Sequence, residues 1–427
     1  MATNISPICF IPFLIFLLFG ALVQAIPTNN HGTDGSNIAS RSIKVDLKTN
    51  PNYVPNGVAA YAHALKKWSS KTPGELAESL AAMGGSMFGE LGATSVKGDR
   101  EFLSSVGFGT PFQFLDVYLD TGSSDVWVYS SLTQAEDVGN HSTWVIAHSK
   151  TATPVENGTW IVQYSDGSAA YGKVFTDSIN LGDVIIDKAT IEAAISVSDE
   201  FISDEDIDGI FGLAYSLPNR ASPQQPTVMS ALLPLLSQPL FTIDLRHNSS
   251  NGAYTFGYID GTRFLSDSGE HVHYTPLANG STFWQFEFVS VHIGGTNDVH
   301  NDSFSAIADT GTSLMLLHSE VAKLYYDAVP GAQYNYTTSG GIWTYPCHTL
   351  PALPDFELGF ANGFVVTVPG RYMNYSVFPY AEDTCVGGLQ VIPDDDPQIL
   401  GDVFLKSVYA VFDAGEAQIG FAKKDLD

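Results

Sequence analysis

The hydrophobic rhythm of the chain changes several times. Residues 8–19, ICFIPFLIFLLF, form one unbroken apolar run, and the small-residue stretch GALVQA follows it. A run this short is the core of an export signal rather than a membrane span, and cleavage after Ala25 fits. Positions 57–68, GVAAYAHALKKW, and 73–83, PGELAESLAAM, carry Ala and Leu at helical spacing, so short helices are predicted there. The stretch 84–98, GGSMFGELGATSVKG, reads as an exposed linker open to cleavage. From Glu101 the pattern becomes short β-branched and aromatic runs between Gly, Asn and Asp: SSVGFGTP, FLDVYLD, DVWVYS, TWIVQYSDGSAAYGKVFTDSINLGD. This predicts a long, mostly antiparallel β body from about Gly98.

Within that body a pattern repeats. Residues 120–124 read DTGSS and residues 309–313 read DTGTS, 189 positions on, each straight after an apolar run. Ile210-Phe211-Gly212 begins 90 residues after the first turn, and Ile399-Leu400-Gly401 begins 90 residues after the second. Matched offsets imply two similarly folded halves, each unable to complete a site alone, with a loose join near 270–278.

Composition narrows the setting. With 427 residues and 44% hydrophobic content the chain can bury a large core, and its length suggests two or three domains. No Lys or Arg precedes the apolar run at 8–19, so an uncleaved anchor is the alternative to a cleaved signal, while the polar C-terminal FAKKDLD predicts no lipid tail. Cys9 leaves with the signal; Cys347 and Cys385 remain as an even pair that an oxidising compartment would join, the alternative being two buried thiols. Sequons stand at Asn140, Asn157, Asn248, Asn279, Asn301, Asn335 and Asn374. Charge is uneven. Between Arg41 and Lys71 six basic residues face one acid, whereas from Ala93 onward 13 Lys plus Arg face 41 Asp plus Glu. Such a body repels nucleic acid and anionic membrane at neutral pH and loses that self-repulsion in acid. His271, His273 and His292 lack a metal-ligand spacing, and no metal or cofactor is predicted.

An Asp-Thr-Gly-Ser string at the end of an apolar strand is most simply a turn: Gly122 and Gly311 permit backbone that a side chain would forbid, and the hydroxyls bond nearby carboxylates or backbone. The second copy changes the balance. Two carboxylates brought together cannot both ionise easily, so one keeps a proton while the other acts as a base.

Two DTG[ST][ST] turns, each with a hydrophobic-hydrophobic-Gly partner, resemble the pepsin family of aspartic proteases, most closely the secreted fungal aspergillopepsin and penicillopepsin type. The resemblance runs from about Gly98 to Lys424. It implies an all-β, bilobal fold: two pseudo-symmetric β-barrel-like lobes with a cleft and a flap hairpin. The expected division is a signal peptide at 1–25, an activation propeptide at 26–92, an N-terminal lobe at 93–272 and a C-terminal lobe at 273–427. It further implies that Asp120 and Asp309 are the catalytic pair, with Ser123 and Thr312 bonding their outer oxygens. Tyr164 matches the flap tyrosine, among Ser165, Asp166, Gly167 and Ser168, and Trp127 the tryptophan that bonds it. Ser165 stands where such flaps usually have Gly, a departure that stiffens the hairpin. Phe201 and Ile210 match the pocket before the cut, and Ile307 lies beyond it. Cys347 and Cys385 match the family's second-lobe disulfide.

The expected activity is therefore acid endopeptidase action on proteins and peptides bound as extended strands, by an activated water and without a cofactor. Large apolar residues are expected to flank the cut, with Asp166 and Ser168 admitting Lys before it, and pepstatin-type inhibitors to block it. The chain is expected to be a monomer, released from the cell or held in an acidic vacuole, and made as a latent precursor whose basic segment sits in the acidic cleft. Lys67, or else Lys66, is the lysine expected to face the aspartates. The alternative is a catalytically inactive pepsin-like binding protein, but such relatives usually lose an aspartate or the flap tyrosine. A serine hydrolase is the weaker rival, since no G-x-S-x-G elbow occurs.

Overall fold

The computed structural model describes residues 42–46, 48–49, 55–69, 102–163, 169–182, 184–247, 249, 251–266, 269–296, 299–300, 303–337, 340–349, 353–378 and 381–426. The predicted signal, the second predicted helix, the cleavage linker and the flap tip at 164–168 lie outside them.

The body is built from β-strands, in line with the bilobal pepsin-like expectation. Strand Gln113–Asp120 shows how: Leu115, Val117 and Leu119 are buried while Asp116 and Tyr118 between them are half-buried. A period of two puts alternate side chains on opposite faces, which is why FLDVYLD folds as a strand with one face in the core. Eight strands of the first half form one sheet, and a further pairing between Phe102–Phe108 and Ala169–Leu181 curls it on itself. The second half carries a five-stranded sheet and two four-stranded sheets.

The repeat seen in the sequence is a repeat of strand register. Gln113–Asp120 pairs in parallel with Gly209–Gly212, placing Asp120 beside Gly212. Phe304–Ala308 pairs in parallel with Gln398–Leu400, placing Ala308 beside Leu400. Each central strand then takes an antiparallel neighbour, Val126 opposite Phe211 and Met315 opposite Leu400. Thus the body is mostly antiparallel as expected, but each acidic turn leaves a parallel pair, where a chain must cross over another strand.

The join at 270–278 is not loose. His273–Pro276 is an edge strand paired with Gln418–Ala422, and its proline sits at the end of an edge, where a missing N–H costs no ladder bond. That six-stranded sheet takes strands from both halves, and on its other edge Ile43–Asp46 pairs with Ala253–Phe256. Cys347 and Cys385 are joined as a disulfide. Among the described residues no helix is long and apolar enough to cross a membrane.

The predicted helix at 57–68 forms as Gly57–Trp68. Asn56 starts it by accepting the N–H groups of Val58 and Ala59, both at 3.2 Å. Val58, Tyr61, Ala64 and Trp68 recur at helical spacing on one face and join the main hydrophobic core. At about 1.5–3 kcal/mol for each large apolar side chain, this burial is the chief hold on the helix. Gly57 lets the helix start press on the second half: a Cβ there would fall within 3.0 Å of Val386, and Gly57 N–H donates to Ser376 Oγ at 2.8 Å.

Candidate active site

The two acidic turns meet. They are tied by a symmetric exchange between Thr121 and Thr310. Each threonine N–H donates to the other's hydroxyl at 3.0 Å. Thr121 Oγ1 in turn donates to Ala308 O at 3.0 Å and Thr310 Oγ1 to Leu119 O at 2.7 Å. Tyr118 adds a short hydroxyl bond to Thr310 O. The four threonine bonds are buried, so breaking one leaves a donor or acceptor unpaired away from water.

This exchange presents the carboxyls side by side. Asp120 Oδ1 accepts Gly122 N–H at 2.8 Å and its Oδ2 accepts Ser123 Oγ at 2.6 Å. Asp309 Oδ1 accepts Gly311 N–H at 2.9 Å, and Thr312 Oγ1 donates to its Oδ2. Ser123 and Thr312 thus each donate to the carboxyl of their own turn. The glycines have a different reason from the one expected. Neither Gly122 nor Gly311 has a positive φ, so turn conformation does not require them. Instead, a Cβ on Gly122 would fall within 3.0 Å of Asp309 Oδ1, and one on Gly311 within 3.0 Å of Asp120 Oδ1. The missing side chains are what let the two halves close on each other.

Lys67 sits between the two turns. Its Nζ donates to Asp120 Oδ1 at 2.8 Å and Asp309 Oδ1 at 3.1 Å. Burial lowers the lysine's pKa, but the two carboxylates outweigh it and hold the ammonium above its ordinary range. Burial also raises both aspartates. For Asp120 the Lys67 charge and the hydrogen bonds win, leaving it below the ordinary carboxylate range. For Asp309, burial together with the charge of Asp120 outweighs Lys67 and leaves it above. Trp68, in the sequence only the last residue of a predicted helix, donates its Nε1 to Asp309 Oδ2 at 3.0 Å and Thr312 Oγ1 at 3.1 Å, and packs edge-on against Phe283. The side chain of Lys66 is outside the described residues.

Around this centre the other expected residues gather unevenly. Strands Thr153–Gln163 and Ala169–Leu181 form a hairpin whose last described pair is Gln163 with Ala169. Tyr164, Ser165, Asp166, Gly167 and Ser168 at its tip lie outside the described residues. Trp127 is buried, stacked on Trp160 and edge-on to Phe201, with Ile210 packed against the same cluster. Its Nε1 has no partner among the described residues. Ile307 is buried in Phe304–Ala308, opposite Ile399 and Gln285. His273 lies against Glu270 and Phe364, and His292 against Glu357, each in a sheet other than those that carry the two acidic turns.

Two carboxyls projected from equivalent turns thus converge on one ammonium and are held by hydroxyl and backbone donors. The chain belongs to the eukaryotic aspartyl protease family, whose model matches residues 101–424. It is similar to an aspergillopepsin-1 of Aspergillus clavatus, 37% identical over 85% of this chain and 87% of the relative. Penicillopepsin-1 of Talaromyces stipitatus is 38% identical over 85% and 87%. Penicillopepsin-3 of Penicillium janthinellum is 34% identical over 96% and 98%. The chain is thus an aspartic endopeptidase of the pepsin family.

Proposed function

We propose that Asp120 and Asp309 are the catalytic pair of this endopeptidase, and that the chain is an exported precursor kept latent by residues 57–68. The observation that carries this reading is the convergence of both carboxyls on Lys67 Nζ. A point between them that can hold an ammonium can also hold a water. With Lys67 withdrawn, the ionised aspartate takes a proton from that water as it attacks the peptide carbonyl. The protonated aspartate donates to the carbonyl oxygen, and the resulting diol collapses with proton transfer to the departing amine. No covalent enzyme intermediate is needed.

The division into signal 1–25, propeptide 26–92 and lobes 93–272 and 273–427 belongs to the same proposal, as does release to the medium or to an acidic vacuole. Large apolar side chains before the cut would meet Phe201, Ile210 and Trp127, and those after it Ile307. The flap at Tyr164 would close over an extended peptide, excluding water. Asp166 would admit Lys before the cut. Acid-processed protein should hydrolyse a protein substrate at acid pH, with block by pepstatin. Asp120→Asn and Asp309→Asn should each lower kcat by about 10⁴-fold or more. Activity that survives both substitutions would overturn the assignment.

A further inference from the structure

A second pair of carboxyl groups lies behind the first acidic turn. Asp125 follows DTGSS directly and is 5% exposed; Glu192, on Val184–Val197, is fully buried and paired in register with Trp127. Their side chains are within hydrogen-bond reach of each other. Asp125 Oδ1 accepts the Arg220 N–H at 2.5 Å. Neither oxygen of Glu192 receives an N–H or O–H among the described residues. A carboxylate stripped of water and of donors is costly, and two ionised ones facing each other are costlier. The arrangement closes only if one proton lies between them.

The pair is placed to matter to the reaction. Asp125 anchors a segment that wraps the first turn: Leu213 N–H donates to Asp120 O at 2.7 Å, Ala214 N–H to Ser123 O at 2.8 Å, and Ser124 Oγ to Pro218 O at 3.0 Å. Glu192 stands opposite Val174 in the strand that rises to the flap. The other charged groups acting on the pair are Asp120 and Arg220, the latter exposed.

We propose that Asp125 and Glu192 share one proton and that Glu192 is a positioning residue. It holds the wrapping segment against the Asp120 turn and sets the upper pH limit of the active form. The inference rests on the catalytic reading of Asp120. Burial and the facing charge of Asp125 hold Glu192 well above the ordinary carboxylate range. A raised acid stabilises the fold below its ordinary value, and that stability drains away as pH climbs towards the raised one.

The test uses the full chain, following tryptophan fluorescence and near-UV circular dichroism against pH, with kcat and KM read after acid processing. Glu192→Gln keeps a donor at every pH, and Asp125→Asn supplies one from the other side while still accepting from Arg220. Both should move the neutral-side midpoint of tertiary structure up by about one pH unit or more. Glu192→Leu should lower acid-pH kcat by about tenfold with KM little changed, and Glu192→Gln should restore it. A midpoint unchanged in Glu192→Gln, or equal kcat in the Leu and wild-type proteins, would overturn the proposal. The midpoint is read without turnover, so it stands apart from failure of the catalytic reading, which would show as activity indifferent to Asp120→Asn.

Discussion

The two acidic turns have nearly the same sequence, the same strand register and reciprocal threonine bonds, yet their carboxyls are displaced in opposite directions. Asp120 is 3% exposed and held low, whereas Asp309 is fully buried and held high. Asp309 also takes the Trp68 N–H, which has no counterpart on Asp120 among the described residues. Backbone symmetry therefore does not impose symmetry of charge. Burial sets the baseline, and two residues from outside the repeat, Lys67 and Trp68, act on the two sides unequally.

The strongest way to break the comparison is Lys67→Met in the full chain. It leaves two buried carboxyls facing each other without their cation, and should lower unfolding stability at pH 7 by about 3–5 kcal/mol. Denaturant unfolding across pH should also show where the difference closes. Asp120 is lowered, so its stabilisation is present above the ordinary carboxylate value and lost as pH falls through its depressed one. Lys67 is raised and keeps its contribution through neutral pH. Wild type and variant should thus converge in acid, the condition under which the latent form is expected to open. A gap that persists in acid would exclude Lys67 as the pH-dependent hold.

A smaller effect tests the symmetric part. Thr121→Val and Thr310→Val each remove a hydroxyl that accepts one buried N–H and donates to one buried carbonyl. Each should cost about 1–3 kcal/mol, and the two values should agree closely. A clear inequality would mean that one turn carries the other. The smallest effect sharpens the asymmetric part. Trp68→Phe keeps the aromatic packing on Phe283 and loses only the N–H, for about 0.5–1.5 kcal/mol in the precursor. In a double-mutant cycle it should couple to Asp309→Asn and not to Asp120→Asn.

Much of this is legible in the sequence. The helix at 57–68 has local causes, an Asn cap and apolar residues at helical spacing, and it falls where periodicity puts it. The paired aspartates and their serine and threonine partners follow from two copies of one string. The rest depends on contacts between distant segments. Thr121 and Thr310 look like ordinary turn residues until each is seen to be the other's partner across 189 positions. Gly122 and Gly311 read as turn residues in the sequence because the opposing carboxylate is invisible in a linear string. Glu192 stands in an apolar strand with no sign that its neighbour is another acid. The basic residues around Lys67 suggest charge as the hold, whereas Val58, Tyr61, Ala64 and Trp68 hold the segment by apolar burial.

That last feature bears on how the protein should be handled. The strand Ile43–Asp46 completes the sheet edge at Ala253–Phe256, and the helix Gly57–Trp68 supplies part of the core. If processing removes both, the trimmed body has lost pieces of the template on which it was built. Its survival then depends on the height of the barrier to unfolding rather than on a reversible balance. Heating the trimmed protein should be a one-way event, and recombinant refolding should begin from the full chain.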